Sequence, residues 1–221
     1  MLNKICNNLT DNLNYLVIEG NIGAGKTTLA KMLGEQYNAK VILEQFSENP
    51  FLPGFYRDPE RYAFPLELSF LAGRFNQLRN ELPGNDLFGS FTVSDYSFPK
   101  SLIFSGATLS GHEYRLFRQL FDIMESQVPK PGLVVYLHNE PANLLENIRR
   151  RGRSYEQSIT AEYLDRVRRS YFEFMKQRGD IRFLVVESGK IDFVSDKDTF
   201  DALSELIFAG NYHYGINRVV L

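Results

Sequence analysis

The run Tyr15-Leu-Val-Ile-Glu19 passes directly into Gly20-Asn-Ile-Gly-Ala-Gly25-Lys26-Thr27-Thr28, after which Leu29, Ala30, Met32 and Leu33 follow at helical spacing. A short apolar, β-branched run reads as a buried strand, and the change of period marks a helix start. The junction between them has the form G-x-x-x-x-G-K-T. Its glycines let backbone N–H groups turn inward around phosphate oxygens, and the helix N-terminus adds its positive end. Lys26 would reach the β- and γ-phosphates, and the Thr27 hydroxyl would ligate Mg2+. The plainer reading is a glycine-rich turn with a stray lysine, but strand, loop and helix stand in the order that a phosphate-binding loop requires. Gly20, Asn21, Ile22, Gly23, Ala24, Gly25, Lys26, Thr27 and Thr28 are therefore expected to bind a nucleoside triphosphate.

Downstream, the pattern repeats strand and helix. Lys40–Glu44 reads as a second strand, Gln45–Arg57 as a loop broken by Pro50, Pro53 and Gly54, and Pro59 opens a long amphipathic helix to about Leu82. Phe91–Asp95 is a third strand, followed by helices over 100–109 and 112–127. Leu133–Leu137 and Ile181–Glu187 are the fourth and fifth strands, with helices near 142–151, 161–178 and 198–209. Such alternation predicts an α/β fold, with a five-stranded parallel sheet covered by helices on both faces. Ligands of such sheets bind at the carboxyl ends of the strands. Glu44, Asp95 and the Gly20–Thr27 loop all stand at such ends and should share one crevice. The segment Gly210–Leu221 has no clear assignment.

The 221 residues suit a single domain with a substantial core, and no linker or repeat divides them. A net charge of −2 gives no general attraction to nucleic acid or to an acidic membrane. No apolar stretch approaches the ~20 residues that span a bilayer, and the polar leader, residues 1–13, lacks a signal-peptide core. The single cysteine, Cys6, excludes an intrachain disulfide. These features point to a cytoplasmic protein without a nucleic-acid or membrane partner.

Four segments carry a family resemblance: Val17–Lys26, Phe55–Pro65, the arginine-rich Arg149–Gln157 followed by Tyr163-Leu164, and Gly189–Val194. In this order they resemble the phosphate loop, substrate helix approach, lid and adenine loop of the deoxyribonucleoside kinases, over about residues 14–194. The resemblance implies a P-loop kinase fold with ATP and Mg2+ as cofactors, a deoxynucleoside as small-molecule substrate, and a homodimer built on the helices near 59–82 and 112–127. It places Glu44 as the general base toward the 5′-hydroxyl and Asp95 beside Thr27 at the Mg2+. Tyr56 and Glu156 match the pair that grips the sugar 3′-hydroxyl, while Glu67 and Arg74 match positions facing the base. Arg149, Arg151 and Arg153, in a lid of about residues 149–160, would close over the transferring phosphoryl group, and Asp192 and Phe193 would meet the adenine. Such groups suit the chemistry, because phosphoryl transfer asks mainly for positioning and positive charge.

Two departures from the family pattern bear on substrate. Tyr96 stands where the family has an arginine after the acid, in Asp95-Tyr96-Ser97-Phe-Pro-Lys100, a variant similar to bacterial deoxyguanosine kinases. Lys100 is then the nearby cation, facing either the 5′ end or the base. Glu67 stands where broad-specificity relatives carry glutamine. An ionised carboxylate can accept from both guanine donors, N1–H and the 2-amino group, which points to deoxyguanosine; the competing reading pairs Glu67 with Arg74 on the same helix face. Phe70 or Phe104 would stack on the base. Deoxyadenosine or broad specificity is the alternative substrate reading. A nucleoside monophosphate kinase would need a cationic clamp where Glu44 stands, and a nucleotide-sensing module would not need the lid arginines. The arginine run also has two plainer readings, a solvated helix face or a nucleic-acid patch.

Overall fold

The apolar runs Leu16–Ile18, Leu133–Leu137 and Phe183–Val186 are buried on both faces, as inner strands of a parallel sheet must be. In a computed structural model of the protein, which describes residues 13–45, 49–82, 91–189 and 191–220, they lie in β1 (Tyr15–Gly20), β4 (Leu133–His138) and β5 (Arg182–Glu187). With β2 (Lys40–Ile42), β3 (Thr92–Ser94) and β6 (Gly215–Val219) they form one sheet in the order β2-β3-β1-β4-β5-β6. Every pairing is parallel.

The sheet therefore has six strands among the described residues, one more than the five expected. β6 pairs Ile216 with Phe183 and Val219 with Val186, and Asn217 donates its amide to the Phe183 carbonyl at 3.1 Å. It is an edge strand with Asn217 and Arg218 in a half-exposed run, so it lacks the apolar signature that marks inner strands.

Alternate strand residues feed two cores. Val17, Tyr136 and Val185 pack against α3 (Pro59–Glu81), α5 (Gly111–Glu125) and α7 (Ala161–Gln177), through Leu71, Leu78, Phe117, Phe121 and Tyr171. Leu16, Ile18, Val135 and Leu184 meet α1 (Lys26–Tyr37), α6 (Pro141–Arg151) and α8 (Lys197–Phe208), through Leu29, Leu33, Leu144, Ile148 and Leu203. The remaining helices are α2 (Leu52–Arg57) and α4 (Lys100–Thr108). Helix α2 falls inside the expected loop 45–57: Pro53, read as a breaker, sits in the helix's first turn, where its missing N–H costs nothing.

Strand order reverses beside β1, whose neighbours β3 and β4 leave on opposite sides, and that is where such sheets open a crevice. No helix among the described residues is long and apolar enough to cross a membrane. Residues 1–12 of the expected leader, with Cys6, lie outside the described residues.

Candidate active site

At the end of β1 the chain turns through Gly23 (φ 82°) and Gly25 (φ 89°) into α1. A side chain at Gly23 would place Cβ 2.8 Å from the Leu144 carbonyl oxygen, so helix α6 approaches the loop too closely for any other residue. Asn21 and Asn147 tie the loop to its surroundings: Asn21 donates to the Leu164 carbonyl of α7 (2.7 Å), and Asn147 of α6 donates to the Gly23 carbonyl (3.0 Å). Lys26 donates to the Asn21 carbonyl at 2.8 Å. Burial, with Lys100 nearby, lowers its pKa to about 8 against the pull of Glu19, Glu44 and Asp95.

The Thr27 hydroxyl donates to Asp95 Oδ2, while Asp95 Oδ1 accepts from the Glu44 backbone N–H at 2.8 Å. One carboxylate thus joins the phosphate loop to the segment after β2. Two hard oxygens beside a phosphate loop suit an oxygen-preferring divalent cation completed by phosphate and water ligands. No cluster of three His, Cys, Asp or Glu side chains among the described residues could hold a metal without such help.

In the segment after β2, Glu44 Oε1 accepts from Arg74 Nε (2.8 Å) and Nη2 (2.6 Å), and Oε2 accepts from Lys100 Nζ (2.6 Å). Burial alone would raise the Glu44 pKa, but Lys100 and then Arg74 override it and hold the carboxyl at about 2. Lys100 is itself buried at the start of α4, with its ammonium on Glu44 and 5.5 Å from the Phe104 ring centroid. Tyr96, in the family's arginine position, turns away and donates to Gln77 Oε1 (2.8 Å), whose amide donates to the Leu43 carbonyl beside Glu44 (3.1 Å). The cation on Glu44 Oε2 is instead Lys100, four residues beyond Tyr96.

Arg74, expected to face the base, instead gives its donors to Glu44 and to the Ser101 hydroxyl (2.9 Å). Glu44, two residues beyond β2, takes two Arg74 N–H groups on Oε1, and no hydrogen bond or ion pair joins Glu67 to Arg74. Glu67 is 2% exposed; its Oε1 accepts from Thr108 Oγ1 at 2.9 Å, and its Oε2 has no hydrogen-bond partner. Both carboxylates line one cleft with Tyr56, Phe70, Phe104, Lys26, Thr27, Asp95 and the lid residues Arg151, Arg153 and Glu156. Tyr56 stacks on Tyr155, ring centroids 6.1 Å apart.

Glu156, in the 3-10 turn Ser154–Glu156 that links α6 to α7, accepts from Arg151 and from Arg153 (3.1 Å). Arg149 is exposed in the last turn of α6 and does not line the cleft. Three consecutive arginines on a helix cannot share a face, since successive residues turn by about 100°. Asp192 accepts from the backbone N–H groups of Val194 (3.2 Å) and Ser195 (3.0 Å), shaping its loop. Buried Phe193 packs against the phosphate loop at Gly25.

Sequence reasoning missed Glu19 and Thr108. Glu19 is 2% exposed and accepts from the Ser97 N–H (2.8 Å), the Ser97 hydroxyl (2.7 Å) and the Tyr171 hydroxyl (2.8 Å). It thereby joins β1, the segment after Asp95 and α7. The signal was present, as a lone acid ending an otherwise apolar strand. Nothing in the sequence marks Thr108.

Residues 16–209 match the family model described as deoxynucleoside kinase. The chain belongs to the deoxynucleoside kinase family. A deoxyguanosine kinase from Bacillus subtilis is 32% identical over 194 residues, covering 86% of this chain and 94% of that one. A deoxyadenosine kinase from Dictyostelium discoideum is 33% identical over 164 residues, 73% of this chain and 66% of that one. Among solved structures, a deoxyadenosine kinase from M. mycoides with dCMP and dCDP bound superposes with a TM-score of 0.76 at 22% identity, over 88% of this chain and 99% of that one. The fold is that of the P-loop kinases, and this deoxynucleoside kinase is an ATP-dependent phosphotransferase.

Proposed function

We propose that this kinase transfers the γ-phosphoryl group of ATP to the 5′-hydroxyl of a deoxynucleoside in cytoplasmic nucleotide salvage, with deoxyguanosine preferred. The observation that carries the reading is Glu44: a carboxylate held by Arg74 and Lys100 and joined through Asp95 to the phosphate loop. Glu44 is the general base, and its two cations hold it ionised and aimed at the incoming hydroxyl. Lys26 and the loop N–H groups hold the donor phosphates. Thr27 and Asp95 would hold Mg2+, which supplies charge neutralisation at the phosphates. Arg151 and Arg153 bring positive charge to the equatorial oxygens when the lid closes and water is excluded.

Tyr56 and Glu156 grip the sugar, and Phe70 and Phe104 flank the base. Glu67, which lines the cleft and whose buried Oε2 has no partner, accepts from guanine N1–H and the 2-amino group. A phosphorylated acceptor is disfavoured because Arg74 and Lys100 are both engaged by Glu44. A second copy of the chain docks on α3 and α5, where Leu116 (49%) and Ile123 (64%) are the exposed large apolar residues.

The test is ADP release from Mg·ATP with each of the four natural deoxynucleosides at slightly alkaline pH. The reading expects turnover highest on deoxyguanosine. Preference for a pyrimidine would discard the account of Glu67, and no turnover on any of the four would discard the acceptor class.

A further inference from the structure

The base end of the cleft holds a carboxyl group whose two oxygens are treated differently. Glu67 Oε1 is 2.9 Å from the Thr108 hydroxyl, while Oε2 is buried with no partner in a cleft walled by Phe70 and Phe104. The Thr108 oxygen also lies 3.0 Å from the Phe104 carbonyl, one turn back along α4. A hydroxyl has one proton and here two acceptors. With Glu67 ionised, the charge-assisted bond to Oε1 wins. With Glu67 neutral, the proton can return to Phe104, so neither state strands a buried donor.

We propose that Glu67 and Thr108 form a proton-gated purine reader, which accepts deoxyguanosine when Glu67 is ionised and deoxyadenosine when Glu67 carries a proton on its base-facing oxygen. The inference rests on the kinase reading above and concerns the same cleft. Guanine presents two adjacent donors, N1–H and the 2-amino group, which suit a carboxylate. Adenine presents an acceptor at N1 beside a donor at the 6-amino group. A carboxylic acid matches that edge, its O–H donating to N1 and its carbonyl oxygen accepting from the amino group. Between the two states a single proton is taken up from solvent, with no other bond made or broken. An unmatched buried polar pair is costly, so each state rejects the other purine.

The charges around Glu67 leave both states within reach. Arg74 from its own helix, Lys100 from α4, Glu44 from the segment after β2, and the phenols Tyr56 and Tyr163 from α2 and α7 face it. The two cations are bonded to Glu44 and not to Glu67. Burial raises the Glu67 pKa to about 7, partly offset by Arg74 and by the Thr108 hydrogen bond. Thr108 is thus a positioning residue: it steadies the ionised form through Oε1 and leaves Oε2 to carry the proton.

The experiment measures kcat/KM for deoxyguanosine and for deoxyadenosine with Mg·ATP from about pH 5.5 to 8.5, taking their ratio so that groups common to both reactions cancel. The reader predicts a ratio rising about tenfold per pH unit through the Glu67 titration. Glu67→Gln should flatten it. Thr108→Val, which removes a donor to the ionised form, should displace the line of log ratio against pH to higher pH, and Thr108→Ser should leave it in place. Turnover of both purines with a pH-independent ratio would overturn the reader alone. A slope retained in Glu67→Gln, or a line undisplaced in a folded Thr108→Val, would also overturn it. No transfer to either purine at any pH would overturn the kinase reading beneath it.

Discussion

Glu44 receives three charge-assisted donors, and a base so firmly held is a weak proton acceptor on its own. Its value lies in being ionised and fixed at any working pH, which suits a reaction dominated by positioning and electrostatics. Lys100→Met removes the largest influence that lowers its pKa, so Glu44 should move up from about 2 toward the ordinary carboxylate range. The acid limb of kcat/KM should then shift to higher pH, and a wild-type-like profile would discount Lys100. Glu67 has the opposite sign. Its folded pKa lies above its unfolded one, so its favourable contribution is complete below about pH 4.5 and lost as pH rises through about 7. Glu67→Gln should therefore gain stability relative to wild type across that window, by up to ~3 kcal/mol, read as a difference in melting temperature between pH 5 and pH 8.

Among elements, the phosphate loop is the tightest joint, clamped by Asn21 to α7 and by Asn147 to α6. Gly23→Ala would force a left-handed backbone and a clash with the Leu144 carbonyl; a loss of about 1–3 kcal/mol in thermal unfolding, with weaker ATP binding, is expected. The loop was fully legible in the sequence, since phosphate chemistry dictates both residue types and spacing. Inner strands were legible because burial on both faces forces apolar runs. Strand β6 was not, for an edge strand needs no such run. Helix α2 hid behind Pro53 and Gly54, which punctuate turns as readily as first helical turns. The lid was legible as a charge cluster, but not which arginines point inward, because Arg149 and Arg151 differ only in their angle around α6. Lys100 was legible as a cation and ambiguous in direction, because its hydrogen bond to Glu44 is a tertiary contact. Thr108 acts through a tertiary contact and leaves no trace in sequence.

For the whole molecule, the sheet order brings residues from six separate segments to one crevice at the strand ends. Exposed Leu116 and Ile123 lie on the far side of α5 from buried Phe117 and Phe121. If a second copy covers them, Leu116→Glu with Ile123→Glu should halve the mass measured by light scattering without unfolding the chain. An unchanged dimer would place the interface elsewhere. The central claim is that Glu44 activates a nucleoside 5′-hydroxyl for attack on ATP. Its most direct test is single-turnover transfer from labelled Mg·ATP to deoxyguanosine, with the product identified by mass and fragmentation. Wild type should yield the 5′-monophosphate, and Glu44→Gln should slow its formation by about 10²–10⁴-fold while still binding ATP. Transfer at an undiminished rate in Glu44→Gln, or phosphate on another hydroxyl, would contradict the account.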